Sequence, residues 1–316
     1  MPLDPIARDL LEQAAAQNAA PLKELTPKRA RMRMNASSGM LGEPDPVHHV
    51  EDSAVQTREG RQIPVRLYDP GTPKPRPAIV YFHGGGWVTG SIDTHDNLCR
   101  ALANASGALV VAVEYRLAPE HKFPAALEDA YLVVAGMSQN AQRLGINHVI
   151  AAGDSAGGNL AAAVCLLARE HRAPRIDAQI LLYPILDFQF ETPSYHENAD
   201  GYLLTRDDMI WFWRHYLNDE AEGANPMASP LRMPDLAWLP PALVITAEYD
   251  PLRDEGNAYA ERLMAANVPT THYMYEGQIH GFMRRMNIFP QARHAIAETA
   301  EFVRSLRGAV AERAGG

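Results

Sequence analysis

The sequence predicts an α/β fold: a mostly parallel sheet of about eight strands with helices on both faces. Three observations carry this. From residue 78 onward, short β-branched runs alternate with helix-length segments, the pattern of parallel strands joined by crossover helices. Runs such as Ala78-Ile79-Val80-Tyr81-Phe82 are apolar at every position, as strands buried on both faces require. And Gly153-Asp154-Ser155-Ala156-Gly157 lies between one such run and an Ala/Leu-rich stretch. That is the carboxyl end of a strand, where sites in open α/β sheets lie.

The elements follow in order. Residues 1–45 form a helical arm, in which Ile6, Leu10, Leu11 and Ala14 recur at helical spacing after the cap-like Asp4-Pro5. Pro21 and Pro27 interrupt it, and a second short helix spans about 27–35. Strands 50–56 and 63–68 are joined through Arg58-Glu59-Gly60 as a hairpin. The later strands are 78–82, 108–113, 148–152, 179–183, 243–247 and 271–275. Helices are expected over 94–106, 125–144, from Gly158 to about 169, 252–267 and 290–307. The stretch 187–222 breaks the alternation. It holds a capping-box-like Thr205-Arg206-Asp207-Asp208 and then Met209 to Leu217, apolar around most of a helix. The expected organisation is an arm over 1–45 that contributes to a cap, a core over 46–186, a cap insertion over 187–222, and the rest of the core over 223–316.

A chain of 316 residues can bury a large core. Its net charge of −9 argues against a nucleic-acid or anionic-membrane partner. The two cysteines, Cys99 and Cys165, fall on helices flanking the sheet and read as buried free thiols. The first residues lack the basic and apolar regions of a secretory signal, and no apolar run approaches the length of a membrane span, so a cytoplasmic location is expected.

The chemistry assembles around Ser155. Its strand-to-helix turn is the context that gives G-x-S-x-G meaning. The Ala156 amide, at the helix start, is placed to favour an anion. The strand 78–82 ends in His83-Gly84-Gly85-Gly86-Trp87, whose glycines let backbone amides face a shared space. An acyl-transfer site needs such donors for its oxyanion. Gly84, Gly85 and Ala156 are the expected donors, with Gly86 shaping the bend and His83 orienting the loop. Chain order favours a base near the end, His280, where an imidazole can accept a serine proton near neutral pH. The acid should precede it. Asp250, at the turn before Pro251, is expected in that role, with Glu248 as alternative. Asp254 and Glu255 are expected to pair with arginines or face solvent. Glu114-Tyr115-Arg116 reads as structural support behind the glycine loop. The remaining histidines show no metal-ligand spacing.

His83–Trp87, Tyr115-Arg116-Leu117-Ala118-Pro119-Glu120, Phe123-Pro124-Ala125-Ala126, Gly153–Asn159, Asp250–Gly256 and His280-Gly281-Phe282 together resemble the hormone-sensitive-lipase-like branch of the α/β-hydrolase fold, among its microbial carboxylesterases. The motifs run in family order from about residue 78 to 282. The resemblance implies an antiparallel second strand, a helical cap, no metal and no organic cofactor. It implies a serine esterase acting on a small-molecule ester through an acyl-enzyme, and it is compatible with a homodimer. Amide or lactone hydrolysis could run on the same triad. A non-catalytic ligand receptor also exists on this fold, but it lacks the histidine that stands here as His280. Trp87, Tyr183, Leu204, Phe212, Trp213 and Phe282 are expected to line an apolar pocket suited to short or medium acyl chains.

Overall fold

The computed structural model describes residues 2–39 and 41–313, with side chains described as far as Leu306. The strands are β1 (His49–Gln56), β2 (Gln62–Asp69), β3 (Arg76–Phe82), β4 (Leu109–Val113), β5 (Ile146–Asp154), β6 (Ala178–Leu182), β7 (Ala242–Tyr249) and β8 (Thr270–Ile279). They form one eight-stranded sheet in the order β1-β2-β4-β3-β5-β6-β7-β8. β2 runs antiparallel to both its neighbours, and every other pairing is parallel.

The fully apolar runs occupy the middle of this sheet because both faces are covered. Ala78, Val80 and Phe82 of β3 point into one core, and Ile79 and Tyr81 into the other. The first core is closed by α4 (Ala125–Gln139), α6 (Ala156–His171) and α9 (Arg253–Ala265). The second is closed by α3 (Asp96–Ser106) and α10 (Pro290–Arg313). Cys99 on α3 and Cys165 on α6 are buried free thiols on opposite faces.

Two details differ from the sequence reading. The helix expected over 125–144 ends at Gln139, and a separate turn of helix, Ala141–Leu144, follows. The last strand continues to Ile279 rather than stopping near Tyr275, so His280 sits at the strand end itself.

The arm contains α1 (Pro5–Ala16) and α2 (Pro27–Ser38). Asp4 caps α1 by accepting from the Ile6 amide at 2.8 Å, and a proline fills the first position of each helix. Arg31 of α2 donates to the Val88 carbonyl at 2.7 Å and the Ala118 carbonyl at 2.8 Å, which ties the arm to the sheet body. The stretch after β6 carries no strand. It holds α7 (Pro193–Glu197) and α8 (Arg206–Tyr216). The Thr205 hydroxyl accepts from the Asp208 amide, and the Asp208 carboxylate accepts from the Thr205 amide. Asp therefore closes the capping box that usually uses Glu. Lys23 of the arm meets Asp207 at 2.6 Å, joining the two segments above the carboxyl ends of the strands. Among the described residues no helix is long and apolar enough to cross a membrane.

Candidate active site

β5 ends at Asp154 and α6 begins at Ala156, leaving Ser155 alone at the turn with φ 56° and ψ −117°. A side chain rarely holds this backbone conformation, which is strained. It persists because Ser155 is clamped on both sides. Its amide donates to the Leu182 carbonyl at 2.8 Å, and its carbonyl accepts from Ile185 at 3.2 Å and Asn159 at 3.0 Å. A Cβ on Gly157 would overlap the backbone at Phe82, so only glycine lets α6 approach the end of β3 this closely.

Three side chains from three strand ends meet here. His280 Nε2 is 3.0 Å from Ser155 Oγ, and His280 Nδ1 is 2.7 Å from Asp250 Oδ2. Asp250 is fully buried, and its other oxygen accepts from the Leu252 amide at 2.9 Å. Glu248 turns away and accepts from the Gly277 amide at 2.7 Å. The array links a hydroxyl, an imidazole and a carboxylate in the order needed for proton transfer to and from a serine.

The glycine loop departs from the sequence reading at one residue. Gly84 was expected as an oxyanion donor, but its N–H is donated to Asp154 Oδ1 at 2.9 Å. Asp154 also accepts from the Tyr81 hydroxyl at 2.7 Å and faces His95 Nε2 at 3.3 Å. Burial opposes its charge, but His95 and the Tyr81 hydrogen bond outweigh it and hold the carboxyl down at about 2. The amides of Gly85, Gly86 and Ala156 have no hydrogen-bond acceptor among the described residues. Gly86 has φ +59°, and a Cβ there would run into the Phe212 ring. Behind the loop, Tyr115 donates to the His83 carbonyl at 2.7 Å and stacks on the His83 ring at 4.3 Å. Burial pushes His83 down to about 3, so its ring is neutral near pH 7.

A cavity of about 430 Å³ opens over Ser155 and His280. The arm contributes Leu22 and Met34, and the insertion contributes Leu204, Met209 and Phe212. Four expected pocket residues lie elsewhere. Trp87 is fully buried and stacks on Tyr216 at 4.0 Å. Trp213 is buried against Trp87 and Phe188. Tyr183 lies edge-on to the His280 ring at 4.9 Å and backs it rather than lining the cavity. Phe282 packs behind Tyr183 and against Tyr275. An apolar composition marked these aromatics as pocket or core alike, and for these four the core prevailed. Glu255 is a further correction: among the described residues it pairs with no arginine, and it does not face solvent. It is buried, accepts from the Leu186 amide at 2.8 Å, and is pushed well up by burial. Asp254 does meet Arg253, at 2.9 Å.

Sequence reasoning missed the work of Asp154, His95 and Tyr81, which anchor the glycine loop, and of Arg284 and Arg285, which line the cavity. The last two follow the His280 motif directly, so their position was the available signal. Among the described residues, no group of three His, Cys, Asp or Glu is arranged to hold a metal ion.

Residues 79–284 match the family description of the α/β-hydrolase fold. The chain belongs to the α/β-hydrolase family. It is similar to an arylesterase of Saccharolobus solfataricus, 37% identical over 90% of this chain and 93% of that protein. It is similar to an ethyl acetate hydrolase of Pseudomonas putida, 36% identical over 91% and 92% of the two chains. A hyperthermophilic esterase from the archaeon Pyrobaculum calidifontis superposes with a TM-score of 0.92 at 44% identity, covering 97% of this chain and 99% of its own. Within the α/β-hydrolases the chain is a carboxylic ester hydrolase of the hormone-sensitive-lipase-like branch.

Proposed function

We propose that this hydrolase cleaves short- to medium-chain carboxylic esters with Ser155 as nucleophile, His280 as general base and then acid, and Asp250 as the group that fixes the imidazole. Ser155 Oγ attacks the ester carbonyl as its proton passes to His280 Nε2. Asp250 holds the other ring nitrogen protonated and stabilises the imidazolium. The tetrahedral oxyanion takes its hydrogen bonds from the amides of Gly85, Gly86 and Ala156. Proton return from His280 to the leaving alcohol gives the acyl-enzyme, and a water activated by the same imidazole releases the acid.

The observation that carries this reading is the unbroken contact series Asp250–His280–Ser155, at 2.7 and 3.0 Å. The length preference rests on the cavity of about 430 Å³, small for a long acyl chain and roofed by apolar side chains. The proposed organisation is a core of 46–186 and 223–316 under a cap made from 1–45 and 187–222. Both cap segments supply residues to the cavity wall. Rapid mixing with a nitrophenyl ester tests it: a burst of nitrophenol equal to the enzyme concentration is expected, and none from Ser155→Ala. A full burst from Ser155→Ala would remove Ser155 as nucleophile.

A further inference from the structure

The cavity wall mixes apolar side chains with polar ones, and two of its arginines lie where the chain turns after His280. Arg284 lies there, 8% exposed, and its Nη1 is buried with no hydrogen-bond partner. Among the described residues its Nη2 reaches only the Ser37 hydroxyl, at 3.4 Å. Arg285, beside it on the same wall, donates to the Gly281 carbonyl at 3.0 Å. Among the described residues neither guanidinium hydrogen-bonds to a carboxylate. Arg33 joins them at the rim, donating to the Ala20 carbonyl at 2.7 Å.

Two carboxylates share the wall, and both are occupied. Asp154 receives Gly84, Tyr81 and His95. Asp208 accepts from the Thr205 amide; burial pushes its carboxyl up and the charge of Arg33 pulls it back down. The cavity therefore presents three arginines against two committed acids, in a protein whose net charge is −9. Arg284 feels the charge of Asp154 but makes no hydrogen bond to it, and a buried guanidinium with its N–H groups unmet is costly to keep. The planar fork of arginine matches a carboxylate in two parallel hydrogen bonds.

We infer that Arg284, seconded by Arg285, selects esters that also carry a carboxylate, such as half-esters of small dicarboxylic acids. The free carboxylate docks on the guanidinium pair while the ester carbonyl faces Ser155. The inference rests on the esterase reading of the same cavity and names its substrate class. Apolar walls bind the linking methylenes, and the arginines supply the charge contact that a neutral ester leaves unmade.

Paired substrates test it in the full chain. Monomethyl glutarate, with the charge on the acyl side, is compared with dimethyl glutarate. Acetoxyacetate, with the charge on the alcohol side, is compared with its methyl ester. In the wild type, kcat/KM for at least one anionic ester should exceed that of its neutral twin by about tenfold or more. Which pair responds tells which side of the scissile bond faces Arg284. In Arg284→Gln that ratio should fall about tenfold, and Arg284→Lys should restore part of it. Glutarate itself should inhibit wild-type hydrolysis of nitrophenyl butyrate competitively, with inhibition weakening as salt rises. That measurement needs no variant, so a poorly folded Arg284→Gln leaves the inference open to refutation. Neutral twins preferred in both pairs, together with no inhibition by glutarate, would overturn it. Failure to hydrolyse nitrophenyl butyrate at all would instead strike the esterase reading. In that event calorimetric binding of glutarate to Ser155→Ala, present or absent, still decides the anion site.

Discussion

The Gly84 amide donates to Asp154 Oδ1 at 2.9 Å, so the residue next to the proposed nucleophile holds the loop that carries the proposed oxyanion donors. One carboxylate thereby couples β3 to β5. The Gly84 N–H and the Tyr81 O–H both bring hydrogens to this acceptor-only group, and His95 Nε2 lies against its other oxygen, a set that an amide side chain cannot fully reproduce. Asp154→Asn is expected to lower kcat by about a hundredfold, since the donors of the loop shift away from the developing charge. KM should change far less. A variant with wild-type kcat would mean that the loop holds its shape without Asp154.

Acid stability follows from the same carboxyl. Its folded value of about 2 lies below the ordinary carboxylate range. A depressed group stabilises the fold above its ordinary pKa and loses that contribution as pH falls towards the folded value. Denaturant midpoints measured from about pH 5 down to about pH 2 should therefore fall more steeply for the wild type than for Asp154→Asn. Parallel slopes would remove Asp154 from the acid transition.

Asp250 and Glu248 differ in what they contact, the His280 ring for one and the Gly277 amide for the other. Asp250→Asn places an amide against His280 Nδ1 and favours the wrong tautomer, so kcat should drop by about four orders of magnitude. Glu248 contacts the Gly277 amide rather than the imidazole, and Glu248→Gln should stay within about tenfold of the wild type. A reversed ranking in steady-state rates would reassign the acid.

Neighbours on α8 should give opposite outcomes. Phe212 lines the cavity, whereas Trp213, the next residue round the helix, is fully buried against Trp87 and Phe188. Phe212→Ala should shift the preferred acyl chain to longer lengths, each methylene gained being worth about 1–3 kcal/mol. Trp213→Ala should leave the profile alone and cost about 3–5 kcal/mol of stability through the void it creates. Acyl-length profiles and denaturant curves for both variants decide this. A lengthened preference in Trp213→Ala would contradict the placement of that ring.

Strain at Ser155 is measurable. With φ 56° and ψ −117°, alanine keeps the strain and glycine relieves it. Both variants should be inactive, yet Ser155→Gly should be more stable than Ser155→Ala by about 1 kcal/mol or more, net of the entropy that glycine adds to the unfolded chain. Equal midpoints in denaturant would show that the turn costs nothing.

By itself the sequence determined the alternation of strands and helices, the two-faced burial of β3 and β4, and a candidate order of Ser155, then Asp250 or Glu248, then His280. Each is local: a run of β-branched residues, a Gly-Asp-Ser-Ala-Gly turn, a histidine after the last strand. A window of a few residues carries that information, because backbone preference and hydrophobic period act over that range. Only the tertiary structure decided which aromatics meet the cavity, since Trp87 and Phe212 read the same in composition and differ by what packs against them. It alone showed that Gly84 is spent on Asp154, a contact across 70 positions set by the parallel register of β3 with β5. The buried Arg284, with no carboxylate hydrogen bond among the described residues, was equally hidden, because an exposed arginine and a buried one share the same letter. Whether a charge finds a partner depends on which distant elements the sheet order brings beside it, and that order is a property of the whole chain.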